Sequence, residues 1–350
     1  MVRGWGCSAK STNNFFEDWA IVFELFSRKH AVARAAIATA AAVGFSSCGG
    51  LEPPETTSEQ TAATEASEKL KIVASYSVIC NLAEEIAAEF AEVKCLIAPD
   101  RDPHTYEATP SDRKAIDEAE VVFYAGLNFE PAIVSMAQAS DSSSPKLALH
   151  ELAVQQTIEV SEDGEVEPDP HIWHDVENGI EMANLIRDTL ADVDPDNAAL
   201  FQQNADALIR ELQELDSWIP IQIETIPEGQ RRLVTTHDAM GYFAQAYGLT
   251  VEGTLLGVST EEEPTAAEVN RLATTIREKG IPTIFAELTS DDRVLQTVAD
   301  EAGVTISENV LLADGLGAVD TPLGTYTGML VYNTCTIVTG LGGECDDPTP

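Results

Sequence analysis

The chain has 350 residues, 44% of them hydrophobic, so it can bury sizeable cores and wholesale disorder is excluded. This length is enough for two domains of ordinary size. Acidic residues outnumber basic ones by 59 to 20, giving a formal net charge of −39. Such a surface repels nucleic-acid phosphates and anionic membranes, so neither is expected as a direct partner. It suits an extracytoplasmic protein that attracts cations, although solubility in a saline habitat accounts for most of the charge.

A short apolar segment lies near the N-terminus, at residues 35–45, and follows a group of basic side chains. Its eleven residues are too few for a membrane-spanning helix, which needs about 20, but they match a signal-peptide core of roughly 7–15. The next residues, Phe45-Ser46-Ser47-Cys48-Gly49, resemble a bacterial lipobox with Phe45 in place of the usual Leu. We therefore expect residues 1–48 to be a signal region that ends in lipidated Cys48. A plain secretory signal with an unmodified Cys48 is the alternative.

Residues 1–21 carry acidic and aromatic side chains that are unusual in a signal peptide. We therefore hypothesise that translation starts downstream, for example at Val22. Residues 49–68 contain five glutamates, no Lys or Arg, and many small polar residues. This composition predicts a flexible tether between the membrane and a folded part.

Short apolar runs alternate with helical patterns from Lys69 onward. Strands are predicted at 71–75, 93–98 and 121–126, and helices at 77–90 and 111–118. This alternation predicts a parallel sheet built from βαβ units.

A long helix is predicted next, with Asp194 as its N-cap and Pro195 as its first residue. Its apolar positions form one continuous seam, at Phe201, Ala205, Leu208, Leu212 and Leu215. A helix from 195 to about 219 would span roughly 36 Å, enough to bridge two lobes. An ordinary surface helix would show the same pattern.

The alternation of strands and helices resumes after residue 230. Strands are predicted at 232–236, 251–256, 282–288 and around 304–313, and helices at 241–247, 264–279 (closed by Gly280) and 325–341. We therefore predict an α/β protein with an N-terminal lobe at 69–190 and a C-terminal lobe at 231–345. The segment 191–230, with the long helix, joins them.

Six cysteines are scattered along the chain and none forms a CxxC pair, which disfavours a thiolate zinc site. Cys80 with Cys95, or Cys335 with Cys345, could form disulfides in an oxidising compartment. Unpaired buried thiols are the alternative.

Three histidines and one aspartate lie in four separate loops, with 67, 66 and 77 residues between successive positions. These residues are His104, His171, His237 and Asp314. Three of the four follow predicted strands, and ligands bind at the carboxyl ends of strands in open α/β sheets. Three imidazoles and a carboxylate can enclose a divalent ion. Each residue taken singly is more often structural than a ligand.

Three further polar residues accompany this set. His150 is expected to have a packing or surface role. His174 is expected at the rim or in solvent rather than as a fifth ligand. Glu287 is expected to orient a ligand, to form a buried salt bridge or to lie at the surface.

Six motifs occur in order along the chain: DPHTYEATPSD, DPHIWHDVENGI, TTHDAMGYFAQAYGL, GVSTEEEPT, IFAEL and LLADGLG. Together they resemble the TroA-like family, the zinc/manganese-type solute-binding proteins of bacterial ABC importers, over about residues 69–343. The resemblance implies two lobes of parallel sheet flanked by helices and joined by one rigid helix. It also implies His104, His171, His237 and Asp314 as ligands of one divalent metal ion.

The function that the resemblance implies is binding without turnover. The ion, Zn²⁺ or Mn²⁺, would be cargo, delivered to a membrane permease with a cytoplasmic ATPase by a monomeric, extracytoplasmic, lipid-anchored protein. Imidazoles favour zinc, whereas some manganese-binding members carry Glu in place of His237. The acidic loop at 161–169 also lacks the histidines of many zinc-dedicated relatives.

The sequence leaves two other function classes, a hydrolase and a surface adhesin. The chain has no HExxH or GxSxG motif, which argues against a metalloprotease-like or serine hydrolase. A surface adhesin with the same fold is the other alternative.

Overall fold

The computed structural model describes residues 69–162, 165–346 and 348. The predicted signal region 1–48, with Cys48 and the hypothetical start at Val22, and the predicted tether 49–68 lie outside these residues. The residues from Lys69 onward form one compact unit. None of the described helices is both long and apolar enough to cross a bilayer.

A four-stranded parallel sheet forms the core of the first half. Its strands are β1 (Leu70–Tyr76), β2 (Ala91–Ile97), β3 (Val121–Tyr124) and β4 (Lys146–Ala148), in the order β2-β1-β3-β4. β1 and β3 are buried along nearly their whole length because helices cover both faces of the sheet. The three predicted strands are confirmed. The fourth has only three residues, too few to leave a readable pattern.

The helices of this half are α1 (Ser77–Ala87), α2 (Pro110–Glu118), α3 (Pro131–Gln138) and α4 (Leu149–Ala153). Thr109 begins α2 with a capping box: its hydroxyl accepts from Asp112 N, and the Asp112 carboxylate accepts from Thr109 N. After α4 an antiparallel hairpin forms from β5 (Glu159–Glu162) and β6 (Glu165–Pro168). The segment expected as an acidic loop at 161–169 is therefore largely part of a hairpin.

The second half repeats this sheet order. β7 (Arg232–Thr235) pairs in parallel with β8 (Thr250–Thr254), and β9 (Thr283–Ile284) with β10 (Thr305–Ile306). A parallel bridge from Thr235 to Phe285 joins the pairs, giving the order β8-β7-β9-β10. The predicted strand at 282–288 is shorter than expected, because beyond Ile284 the segment keeps only single bridges.

Three helices cover this second sheet, namely α7 (Gly241–Tyr247), α8 (Ala266–Lys279) and α9 (Asp292–Ala302). Leu272 and Ile276 of α8 and Leu295 of α9 pack with β-strand residues in one apolar core. Gly280 ends α8 at φ 66°, the left-handed conformation expected of a C-terminal glycine.

Two long helices connect the halves: α5 (Val176–Val193) and α6 (Ala198–Glu224). α6 has 27 residues and spans about 40 Å. It packs against α1 and α5 and also against the closing helix α10 (Tyr326–Gly340), and its predicted apolar seam is buried. The prediction of two parallel-sheet lobes joined by a long helix is confirmed.

The predicted ends of α6 are wrong. Asp194 ends α5 instead of capping α6, and a turn precedes the start at Ala198. In that turn Asn197 donates its side-chain amide to Asp194 Oδ2 at 2.7 Å and its backbone N–H to the Asp194 carbonyl at 3.2 Å. At the other end the helix continues through Pro220 to Glu224, and Ile219 and Ile223 on either side of the proline are buried.

Both candidate disulfides are present, so free thiols are the wrong interpretation for these four cysteines. Cys80–Cys95 joins α1 to β2, and Cys335–Cys345 joins α10 to the segment after it. Cys7 and Cys48 lie outside the described residues.

The contact between α5 and α10 leaves no room for a side chain at Gly179. A Cβ atom there would lie 2.6 Å from Tyr326 Cε1, and the Tyr326 hydroxyl is held by the Trp173 carbonyl at 2.6 Å. We expect Gly179→Ala to lower the free energy of unfolding by about 1–3 kcal/mol, measured by urea denaturation. Gly229→Ala is the control, because a Cβ there meets no atom within 4 Å. Equal stability of the two variants would contradict this packing.

Candidate metal centre

Four buried side chains from four separate loops converge between the two sheets. His104 lies in the loop after β2, and His237 follows β7. Asp314 lies beyond β10, shortly after Leu311, and Leu311 forms a parallel bridge with Glu287. His171 follows the β5–β6 hairpin. The four residues singled out from the sequence are therefore brought together, each from the end of a strand.

Their inward-facing atoms are three imidazole Nε2 atoms and one carboxylate oxygen, Asp314 Oδ1. The Nε2 atom of His171 lies 3.3 Å from that of His104 and 3.2 Å from that of His237. Asp314 Oδ1 lies 3.7, 3.5 and 3.1 Å from the Nε2 atoms of His104, His171 and His237. Ligands about 2.0–2.2 Å from a tetrahedral ion are about 3.3–3.6 Å apart. The spacing suits one four-coordinate ion.

When the three facing rings are neutral with their protons on Nδ1, the buried Asp314 Oδ1 has no hydrogen-bond donor among the described residues. Its other oxygen, Oδ2, accepts a hydrogen bond from Thr289 Oγ1 at 3.0 Å. An unpaired carboxylate oxygen away from water is unfavourable, and a cation between it and the imidazoles removes the cost. A buried carboxylate oxygen facing three imidazole nitrogens therefore makes the cage suited to a positive charge, either a proton or a metal ion.

Carboxylates behind two of the rings determine which nitrogen faces inward. His171 Nδ1 is 2.8 Å from Asp169 Oδ1, and His237 Nδ1 is hydrogen-bonded to Glu287 Oε2. With the proton on Nδ1, each ring presents the Nε2 lone pair to the cage. Glu287 also accepts from the backbone N–H groups of Thr236 and His237, both at 3.1 Å. Burial excludes the surface role considered for Glu287, and its contacts with His237 fit both an orienting residue and a buried salt bridge.

The loop that carries Asp314 is held by residues that the sequence analysis missed. Asn333 of α10 accepts from Leu312 N and donates to the Leu312 carbonyl, both at 2.9 Å. Nothing in the sequence pattern of α10 distinguishes Asn333. Asp169, by contrast, carried a signal: it is the first residue of an Asp-Pro-His motif.

His174 is buried rather than at the rim, which corrects the expectation from the sequence. Its Nε2 lies 2.9 Å from the carbonyl oxygen of Ala313, the residue before Asp314, and it is not in the group of four. The 3₁₀ turn at Ile172–His174 directs the ring inward. His150 is also buried, 3.0 Å from the Tyr76 hydroxyl, so its packing role is confirmed.

The charges in the cage are strongly coupled. Burial alone would lower the pKa of His237, but the Asp314 and Glu287 carboxylates raise this pKa well above its ordinary value. Burial would raise the pKa of Asp314, but the facing histidines hold it well below the ordinary value. Burial lowers the pKa of His104. Without an ion, a proton on His237 Nε2 supplies the donor that Asp314 Oδ1, 3.1 Å away, otherwise lacks, and an incoming ion has to displace this proton.

Comparison with known proteins gives a consistent set of relatives. The family described as zinc-uptake complex component A, periplasmic (ZnuA), matches residues 72–340. The manganese-binding lipoprotein MntA of Halalkalibacterium halodurans is 34% identical over 284 residues, covering 81% of this chain and 92% of the relative. The zinc-binding protein TroA of Treponema pallidum is 31% identical over 275 residues, covering 77% and 88%.

Solved structures agree. The periplasmic zinc-binding protein TroA from Treponema pallidum aligns with a TM-score of 0.74 and 31% identity, covering 78% of this chain and 99% of that one. A manganese-bound periplasmic metal-binding protein from Candidatus Liberibacter asiaticus aligns with a TM-score of 0.69 and 25% identity, covering 78% and 100%.

The histidine environments predict an unusual titration of the metal-free protein. We expect His174 to stay neutral until the pH falls to about 4, because burial lowers its pKa. His237 should stay protonated at pH values above about 6.5, the ordinary pKa of a histidine, because its own pKa is raised. Glu287→Gln removes one of the two carboxylates and should lower the pKa of His237. NMR of the ring carbons measures both, with the exposed Asp192→Asn as control. Titration of His174 near pH 6.5 would contradict its burial.

Proposed function

Because this chain belongs to the zinc-uptake complex component A (ZnuA) family, we propose that it is the extracytoplasmic substrate-binding subunit of a bacterial ABC importer for a divalent transition metal ion. The observation that carries the proposal is the orphaned Asp314 Oδ1 facing three imidazole nitrogens in a buried cage. The ion is cargo rather than a resident cofactor.

We assign one ligand atom to each of the four residues. His104, His171 and His237 contribute Nε2, and Asp314 contributes Oδ1. Two observations support this assignment: the four atoms lie within 4.8 Å of one another, with Asp314 Oδ1 at 3.1–3.7 Å from each imidazole nitrogen, and carboxylates hold two of the rings with Nε2 inward. The cargo is Zn²⁺ or Mn²⁺. Imidazole-rich sets favour zinc, while the relatives include proteins named as zinc-binding and as manganese-binding.

The function is binding and release without turnover. A hydrolytic zinc site keeps one coordination position open for an activated water. In this cage four protein ligands occupy the positions around a tetrahedral ion, and all four side chains are buried. This enclosure favours a carrier over a metal-dependent hydrolase.

The delivery path follows from family membership and from the N-terminal sequence. The loaded protein docks as a monomer on a membrane permease driven by a cytoplasmic ATPase. Lipidated Cys48 and the acidic segment 49–68 hold it above the membrane. Support comes from the lipobox-like sequence, from relatives named as lipoproteins, and from two disulfides that fit an oxidising compartment.

The proposed lobes are residues 69–190 and 231–345, and residues 191–230 join them. One parallel sheet falls within each lobe, and α6 falls within the joining segment.

Metal titration of the purified protein tests the proposal. We expect one zinc ion per chain with submicromolar affinity, with manganese competing for the same site. His237→Ala removes one ligand and should weaken zinc binding at least about 100-fold, more than loss of an orienting residue does. Asp192→Asn, on the exposed surface of α5, is the control and should bind as the native chain does. If neither ion binds at micromolar concentration, the proposed function is wrong.

The affinity should also rise with pH through neutrality. The pKa of His237 is raised in the metal-free protein, so the proton is still bound at pH 7 and binding of the ion must release it. Lowering the pH favours the protonated, metal-free form, and raising it favours the ion. Calorimetry at pH 7 in two buffers of different ionisation enthalpy counts the released protons. Binding without proton release would contradict the charge state assigned to the cage.

A further inference from the structure

A hydrogen bond joins the loops that follow the two equivalent edge strands. β2 is the edge of the first sheet, and β8 holds the same place in the second. Asp102 lies in the loop after β2, and Thr260 lies in the loop after β8. Thr260 Oγ1 donates to Asp102 Oδ2 at 2.6 Å. The bond therefore connects the two lobes side chain to side chain.

The same carboxylate also holds a ligand loop. Asp102 Oδ1 accepts the backbone N–H of His104 at 2.9 Å, across Pro103, whose ring restricts the backbone between them. One oxygen of Asp102 thus holds the chain at His104, and the other holds the opposite lobe.

The loop of Asp314 is connected to the first lobe by separate contacts. Leu316 N donates to Ser77 Oγ at 2.9 Å, and the His174 ring meets the Ala313 carbonyl. These contacts lie beside Asp314, whereas the bond from Asp102 to Thr260 lies beside His104. Parting the lobes at the His104 loop therefore requires the Asp102–Thr260 bond to break.

We propose that Asp102 and Thr260 are positioning residues that form a latch across the cleft and slow the escape of the bound ion. This inference rests on the proposed function and extends it to the step of release. The latch touches no ligand atom. It acts by holding the loop of His104 against the second lobe while the cage is occupied.

The chemistry of the bond sets the expected effect. It joins a hydroxyl to a carboxylate, which is stronger than a neutral pair, and both residues are half-buried, so water weakens but does not abolish it. Its loss should speed ion release roughly tenfold. Association should change little, because the four ligands and their orienting carboxylates are untouched.

The test is stopped-flow release of zinc from the loaded protein into excess chelator. Thr260→Val keeps the shape of the side chain and removes the donor, so zinc should dissociate about ten times faster. Thr260→Ser keeps the hydroxyl and should release at nearly the native rate. Thr275→Val is the matched control, because within the described part of the chain the Thr275 hydroxyl bonds only in its own helix, to the Arg271 carbonyl at 3.2 Å.

A double-mutant cycle isolates the bond itself. In an Asp102→Ala background, Thr260→Val should cause no further acceleration, since its partner is already gone. Equal release rates for Thr260→Val and Thr275→Val, or additive effects in the cycle, would overturn the latch. If the native chain binds no zinc, the proposed function fails instead, so the two failures are distinguishable.

Discussion

A carboxylate oxygen buried against three imidazole nitrogens is the interaction on which the rest of the molecule depends. Asp314 Oδ1 is buried within 3.7 Å of each facing Nε2 and has no donor while those rings are neutral. Burial of an unpaired carboxylate oxygen costs free energy, and a bound cation removes that cost. Neighbouring residues keep the four side chains in place. Thr289 donates to the other oxygen of Asp314, and Asn333 accepts from the backbone N–H of Leu312. Asp169 and Glu287 orient the rings of His171 and His237.

The repeated sheet order explains how four distant residues reach one point. In both sheets the carboxyl ends of the strands face the cleft, and the loops that follow them carry the ligands and several of their supporting groups. The loops can vary in sequence while the strands keep their ends aligned, which is a general property of parallel sheets. His171 departs from this rule, because it follows an antiparallel hairpin and enters the cage from beside the first sheet.

The central features of this architecture could be predicted from sequence because they rest on strong local patterns. Alternating apolar runs predicted seven of the eight strands of the two parallel sheets, and the seam from Phe201 to Leu215 predicted the linking helix. The gathering of His104, His171, His237 and Asp314 was predicted from loop position and from the ordered motifs.

The features that could not be predicted from the sequence depend on tertiary contacts. His174 looked like a rim residue because only the fold brings the Ala313 carbonyl within 2.9 Å of its ring. The start of α6 was misplaced because Asp194-Pro195 fits a helix start equally well, and the turn that Asn197 closes cannot be read from spacing.

Pro220 gives the linking helix a mechanical property that its length alone would not suggest. Because proline has no N–H, the carbonyl of Asp216 lacks its partner in the helical ladder, and the bending stiffness of α6 is lowest near this turn. The helix is therefore a stiff rod over about its first five turns and more compliant close to the second lobe. Small rotations of that lobe can then be absorbed by local flexing within one turn, without repacking the seam that holds the rod to α1 and α5.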